Sequence, residues 1–173
     1  MFLFFPNLIN PDRCEKLTTD VMKLMEEKKL RYEADEYHYK NSYGMGRIES
    51  HEELLHELTP LIKEKTGMAE IVAENSYARI YYSGATLNKH VDRVGLDLTM
   101  SICTFSNLDI DWPLFVEVKP GEIKQFITQP GDGALILGTK MEHWREPLIC
   151  ESNQLVVQSF YHWRIVHAHK LFI

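Results

Sequence analysis

From about residue 70 onward the sequence breaks into short runs rich in β-branched and aromatic residues. This texture constrains the fold more than any other feature of the chain. The runs are "AEIVAENSYARIYY", "LDLTMSICTF", "LFVEV", "EIKQFIT", "ALILG" and "NQLVVQSFYHWRIV". Ser-Gly, Asn-Leu-Asp, Lys-Pro-Gly-Glu and Pro-Gly-Asp-Gly separate them, and residues of these types favour turns. Short strands at regular spacing predict an antiparallel sandwich or small barrel.

The first third reads helical. Asn10 before Pro11 has the form of an N-cap with proline at the first helical position, and Leu17, Val21, Leu24 and Met25 follow at helical spacing. A second helix is predicted from Ser50, where Ser50 and Glu53 have capping-box spacing. Leu54, Leu55, Leu58 and Leu61 would form its buried stripe, and Gly67 would end it. Residues 31–49, rich in tyrosine, predict a loop with some strand character. The expectation is one α+β domain over residues 1–173, helical to about 68 and a β-barrel core from about 69, with the helices packed on one sheet. A chain of this length buries a core without staples.

Composition narrows the function classes. A net charge of −6, with acidic residues spread along the chain, argues against a nucleic-acid partner, which calls for a basic face. The opening "MFLFFPNLINPD" is apolar for only five residues before Pro6 and reads as no signal peptide, and no run approaches a membrane span. Cys14, Cys103 and Cys150 are too few and too scattered for a disulfide framework or a cysteine zinc site. A reducing, cytoplasmic setting is therefore the expectation.

The chemistry-bearing stretch is "LNKHVDRVG", residues 87–95. On an extended strand His90 and Asp92 project from one face and reach one ion together. Chance alone produces such a triplet easily, so the weight falls on a third ligand. His143 in "GDGALILGTKMEHWREPL" follows a tight turn and an apolar strand, 51 residues after Asp92. Two imidazoles and a carboxylate on one face of an ion leave positions open for a co-substrate and dioxygen, as in non-haem Fe(II) oxygenases. A structural zinc site is closed by four ligands.

Taken in order, these pieces resemble the Fe(II)/2-oxoglutarate-dependent dioxygenases, most closely their prolyl-hydroxylase-like branch. "RIYYSGATLNKHVD" is similar to the family's Tyr-x-x-Gly lead-in to His-x-Asp, and "QPGDGALILGTKMEH" to its Pro-Gly-Asp turn before the second histidine. "LDLTMSICTF", "WPLFVEVKPGEIKQFI" and "NQLVVQSFYHW" supply the remaining strands, so that the resemblance covers roughly residues 75–163. It implies a double-stranded β-helix, or jelly roll, with His90, Asp92 and His143 as iron ligands. It also implies Fe(II), 2-oxoglutarate and dioxygen as cofactor and co-substrates, with ascorbate as an accessory reductant. The implied reaction couples decarboxylation of 2-oxoglutarate to hydroxylation of a small molecule or a peptidyl residue such as proline.

One departure stands out. In most of the family an arginine or lysine about ten residues after the second histidine binds the distal carboxylate of 2-oxoglutarate; here Asn153 and Gln154 stand there. Arg145, two residues beyond His143, is the favoured replacement, with Tyr81 adding a phenol hydrogen bond. Arg79 is the second choice and Arg164 the third. The alternative readings are an ion pair of Arg145 with Glu142 or Glu146 on the barrel rim, and a core position for Tyr81. Arg93 reads as a surface arginine that could also meet an acidic substrate group. Trp112 and Trp144 either line a pocket or pack, and His162, His167 and His169 read as ordinary strand residues. The missing basic residue keeps a catalytically silent jelly-roll metal- or ligand-binding module open. A nucleic-acid dealkylase lacks its paired arginines here, and a capsid-type jelly roll would hold no metal.

Overall fold

The computed structural model describes residues 1–36 and 38–166. Its longest strand, β4, organises the rest. In chain order the elements are β1 (Phe2–Phe5), α1 (Pro11–Glu26), β2 (Arg31–Glu36), β3 (Tyr39–Gly46), α2 (Glu49–Thr66) and β4 (Ile71–His90). Then come β5 (Leu98–Ser106), β6 (Leu114–Lys119), β7 (Glu122–Phe126), β8 (Gly133–Ile136), β9 (His143–Arg145) and β10 (Val156–Ile165). All strand pairings are antiparallel. The first half of β4 lies between β10 and β3, while its last residues pair with β9. The larger sheet therefore runs β2-β3-β4-β10-β5-β8-β1, and the smaller runs β4-β9-β6-β7. Gly84, with φ of 81°, sits where β4 passes from one sheet to the other, and its amide donates to the Leu148 carbonyl at 2.7 Å. Positive φ at this bend suits glycine. The expected double-stranded β-helix with helices on one sheet is the fold observed.

β10 is buried on both faces from Val156 to Trp163, which explains why it lacks a clean apolar–polar alternation. Val156 and Phe160 point into the barrel with Tyr81 and Trp112. The alternate residues Tyr161 and Trp163 pack beneath the helices with Leu17, Leu55 and Ile62. The first helix begins as predicted, with the Asn10 side chain accepting from the Arg13 amide.

Three expectations for the N-terminal region are corrected. The Ser50–Glu53 capping box does not form: α2 starts at Glu49, its N-cap is Ile48, and no side chain caps it. Ile48 is buried, so packing rather than a polar cap fixes this helix start, and the Ser50 hydroxyl lies 3.4 Å from His51 Nδ1. The buried stripe is His51, Leu54, Leu55, Leu58 and Ile62, with Leu61 only half-buried, because the helical repeat places residue 62 rather than 61 beneath residue 58. Finally, the region before residue 69 is not only helical. β1 pairs with β8, and residues 31–46 form a hairpin whose second strand extends the large sheet beside β4. The hairpin lacks the alternation of a half-buried strand, and its outer partner β4 comes from far along the chain. Gly44 is required there: a Cβ would lie 2.6 Å from Cε1 of Tyr77. No helix among the described residues is long and apolar enough to cross a membrane.

His51 joins α2 to the sheet. It is fully buried, its Nε2 lies 3.0 Å from Ser159 Oγ, and burial pushes its imidazole down to about 4. In the unfolded chain the same ring takes its proton near 6.5. Its contribution to stability is thus complete above that pH and is lost as pH falls toward 4, by about 3 kcal/mol over the window. Urea unfolding between pH 7 and 4.5 should show this slope, and His51→Gln, less stable overall, should show a shallower one.

Candidate metal centre

Two strands of the small sheet bring the histidines together. His90 ends β4, His143 begins β9, and the two residues are directly paired across the ladder. Their ring centroids are 4.3 Å apart. Asp92 arrives differently from the expectation of a shared strand face. The strand stops at His90, and the Asp92 amide donates to the Gly138 carbonyl at 2.8 Å, which turns the carboxylate back onto the imidazoles. Asp92 Oδ1 lies 3.7 Å from Nε2 of His90 and 3.7 Å from Nε2 of His143. One ligand atom from each residue lies within 4.8 Å of the others.

The surroundings of the triad fix its protonation. His90 Nδ1 lies 2.7 Å from the Asn88 carbonyl, and His143 Nδ1 lies 2.9 Å from the Met141 carbonyl. A carbonyl only accepts, so each Nδ1 carries the proton and each Nε2 presents a lone pair to the centre. Burial pushes the His143 imidazole below its ordinary value, which favours the neutral ligand form. Burial alone would raise the Asp92 carboxyl; the Thr99 hydroxyl and the two histidines, when these carry the second proton that a cation would displace, outweigh it and hold the group at about 2. Thr99 Oγ1 donates to Asp92 Oδ2 at 2.5 Å. Two imidazoles that turn Nε2 toward a carboxylate fit a divalent cation with open coordination positions.

Sequence reasoning missed His38. Its ring stacks on His90 at 4.1 Å, and its carbonyl accepts from the Asn88 amide at 2.7 Å. Only the pairing of the β2–β3 hairpin with β4 brings it there, and no local pattern marks it. Tyr39, on the same hairpin, sits 6.4 Å from the His90 ring.

Deeper in the barrel a second polar group stands in an apolar setting. Arg145 is 2% exposed and donates from Nη1 to the Trp112 carbonyl at 2.5 Å, with its guanidinium 4.6 Å from the Trp112 ring centroid. Its Nε and Nη2 are buried without hydrogen-bond partners, as is the hydroxyl of Tyr81. No ion pair to Arg145 forms among the described residues: Glu142 pairs with Lys89 at 2.8 Å, and Glu146 accepts from Trp144 Nε1 at 3.0 Å. Burial accordingly pushes the guanidinium below its usual value, outweighing the smaller opposing pull of Tyr81 and Cys103. Trp112 packs edge-on against Tyr81 at 5.0 Å, while Trp144 stacks on Phe115 at 5.4 Å.

The other candidates are placed as follows. Arg79 is buried but engaged, donating to Glu33 at 2.5 Å and Ser42 at 3.2 Å and stacking on Tyr39 at 3.2 Å. Arg164, near the end of β10, lies 3.6 Å from Glu74. Asn153 and Gln154 are in the loop before β10, where Gln154 Nε2 donates to Asp109 at 2.8 Å. The residue of β10 that faces Tyr81 is Val156. His162 lies in β10 as expected, buried, with Nδ1 3.2 Å from the Asn75 carbonyl. His167 and His169 lie outside the described residues.

Two adjoining cavities meet at Tyr39, Asp92, Phe160 and His162. The inner one, of about 20 Å³, also touches His143, Thr99 and Ser101. The outer one, of about 390 Å³, opens to the surface.

Gly138 leaves no room for a side chain, since a Cβ there would overlap Asp92 Oδ2 and stand 2.6 Å from Thr99 Oγ1. Gly138→Ala should therefore displace the carboxylate and abolish high-affinity metal binding. The near-isosteric Thr99→Val removes only the hydroxyl and should weaken metal affinity about 10- to 100-fold with the fold retained. Titration of each variant with Fe(II) or Co(II) measures both effects.

No protein-family model and no curated protein matches the sequence. Solved structures do match over nearly the whole chain. A prolyl-4-hydroxylase from Pseudomonas putida is 14% identical, with a TM-score of 0.73 over 93% of this chain and 91% of that one. A prolyl hydroxylase from Trichoplax adhaerens, in complex with a peptide fragment of hypoxia inducible factor, is 11% identical, with a TM-score of 0.75 over 99% and 87%. A 2OG-Fe(II) oxygenase-family oxidoreductase from Burkholderia pseudomallei is 10% identical, with a TM-score of 0.76 over 94% and 85%. The chain shares the fold of these proteins.

Proposed function

We propose that the protein is a non-haem Fe(II)- and 2-oxoglutarate-dependent dioxygenase that hydroxylates a small molecule or a peptidyl residue. The observation that carries this reading is Arg145. A buried guanidinium with two unpartnered nitrogens and no carboxylate beside it is unfavourable unless an anion completes it. It enters the same barrel whose mouth holds the His90, Asp92 and His143 group. The fold shared with 2-oxoglutarate oxygenases supports the same assignment.

His90, Asp92 and His143 would hold the iron. Iron held there would supply the redox chemistry by which one oxygen atom of dioxygen goes to a substrate C–H bond as hydroxyl and the other to succinate, with loss of carbon dioxide from 2-oxoglutarate. The chain's own residues bind and orient. Arg145 offers charged donors to the distal carboxylate of the co-substrate, and the Tyr81 hydroxyl offers a further donor. Trp112, Leu148, Val156 and Phe160 exclude water from that end, which strengthens the pairing. Asn88 and Met141 keep the Nδ1 protons in place, and Thr99 holds the outer oxygen of Asp92. Arg79 serves the hairpin through Glu33 and leaves the co-substrate role to Arg145.

A silent metal-binding module is the second reading, and the size of the inner cavity favours it. About 20 Å³ holds roughly one water, so 2-oxoglutarate enters only if Leu87, Leu114 or Phe160 shifts. Anaerobic addition of Fe(II) and then 2-oxoglutarate separates the two. A weak visible charge-transfer band marks the chelated co-substrate, whereas iron binding with no band leaves the silent module.

Two variants give expected outcomes. His90→Ala should abolish iron binding and turnover with the fold intact, as read by metal titration and circular dichroism. Arg145→Met should weaken 2-oxoglutarate binding by about 1.5–3 kcal/mol, the scale of a lost charged hydrogen bond. The same substitution should stabilise the ligand-free protein by about 1–2 kcal/mol, because it removes an uncompensated buried charge. Chemical unfolding with and without 2-oxoglutarate checks both signs.

A further inference from the structure

The outer cavity carries a charge distribution that the oxygenase chemistry does not use. Its walls include Tyr39 and Tyr77, and Phe160 and His162 join it to the metal centre. Arg47, Arg79 and Arg93 are its cations, and among the described residues its only carboxylate is Asp92, which is turned onto the two histidines. Two of the three guanidiniums are already engaged. Arg79 pairs with Glu33 at 2.5 Å. Arg47 reaches Glu52 at 3.5 Å and the Glu74 carbonyl at 3.1 Å. Arg93 differs: its carbonyl accepts from the Leu96 amide at 3.1 Å, but among the described residues its guanidinium makes no ion pair or hydrogen bond, and the residue stands exposed on the rim. Val91 and Val94 on either side of it are 43% and 74% exposed, so an unpaired cation is flanked by apolar side chains at the edge of an aromatic-walled cavity.

We propose that this cavity is the substrate site and that it selects small organic carboxylates, with Arg93 gripping the carboxylate. The proposal rests on the oxygenase reading for the identity of the reacting centre but not for the binding itself. A guanidinium recognises a carboxylate through paired, parallel hydrogen bonds, and an aromatic-walled cavity of this size accepts an apolar body of some ten to twenty heavy atoms. His162 adds a second polar contact. Its Nδ1 donates to Asn75, so Nε2 is the acceptor left for the cavities, suited to an N–H or O–H of the same ligand. An N-acylated amino acid has all three features: a carboxylate, a donor and an apolar side chain.

The test uses N-acetyl-L-phenylalanine and its methyl ester, which differ in the charge at the carboxylate. Calorimetric titrations are run on the full chain, metal-free and loaded with Zn(II), which has no redox chemistry. The acid should bind about tenfold tighter than the ester, the scale of one charge-assisted pair, in both forms. Arg93→Gln should equalise the two ligands. Arg13→Gln should leave the preference intact, since Arg13 pairs with Glu57 on the helices. Equal affinities in the unmutated protein, no saturable binding of the acid, or a preference that survives Arg93→Gln would each overturn the proposal. A preference lost in Arg145→Met but kept in Arg93→Gln would also overturn it, by placing the carboxylate inside the barrel. Failure of the oxygenase reading shows separately, as a missing charge-transfer band with iron and 2-oxoglutarate.

Discussion

The backbone pairing of His90 with His143 is the constraint on which the rest of the site depends. It exists only because β4 is long enough to belong to both sheets, its first half laddered to β10 and its last residues to β9. A ladder fixes paired residues to a few tenths of an ångström, and it sets both imidazoles on one face without help from any side chain. What side chains add is direction. The carbonyls of Asn88 and Met141 choose the tautomers, and the Thr99 hydroxyl with the bare Cα of Gly138 chooses where the carboxylate sits. The metal centre is thus built from sheet geometry first and hydrogen bonds second, which suits a group that must be rigid before its ligand arrives.

The second determinant is the buried Arg79–Glu33 pair. A pair 5% and 7% exposed gives little net stability against its desolvation penalty, but losing one partner would strand the other. Its position suggests a specifying role. Ser42 and Tyr39 also bind this guanidinium, so one cation locks both strands of the β2–β3 hairpin to β4. That register brings His38 onto the outer face of His90 and Tyr39 to the wall shared by the two cavities. A change at Glu33, far from His90 in the chain, would therefore be felt at that candidate ligand through the hairpin.

Much of this was legible in the sequence, and the exceptions share a cause. The strands β5 to β8 and β10, the start of α1 at Asn10 and the stop of α2 at Gly67 follow from local chemistry and emerge where the patterns put them, whereas β4 runs on through the Ser83-Gly84 expected as a turn, and the short β9 lies outside the runs the sequence marks. The capping box at Ser50 failed because Ile48 is pinned by the core, a tertiary demand that overrides a local preference. The hairpin at 31–46 was half-read because its outer ladder partner lies some forty residues away. His38 was invisible for the same reason. At the site, His90, Asp92 and His143 come together, although Asp92 does so from beyond the strand end. Counting residues after the second histidine pointed at Asn153 and Gln154, yet a loop intervenes and the inward-facing residue is Val156. Sequence distance loses meaning across a loop, whereas strand periodicity from His143 to Arg145 keeps it.

Arg145 and Val156 occupy the two sides of the Tyr81 cluster. Val156 faces Tyr81 across the ladder and offers that space only methyl groups, while Arg145 enters the same apolar cluster from β9. The charge near Tyr81 thus comes from β9 and not from β10. The guanidinium is held by the Trp112 carbonyl and lies against the Trp112 ring, so its position depends on the segment just before β6. Two of its nitrogens and the Tyr81 hydroxyl are left with unmet hydrogen-bonding capacity in a region that excludes water. Selection for stability alone would remove such a group, since an apolar residue of similar volume is the more stable occupant of a dry core. Its presence is therefore an argument from energy: the chain keeps a buried charge that folding does not need.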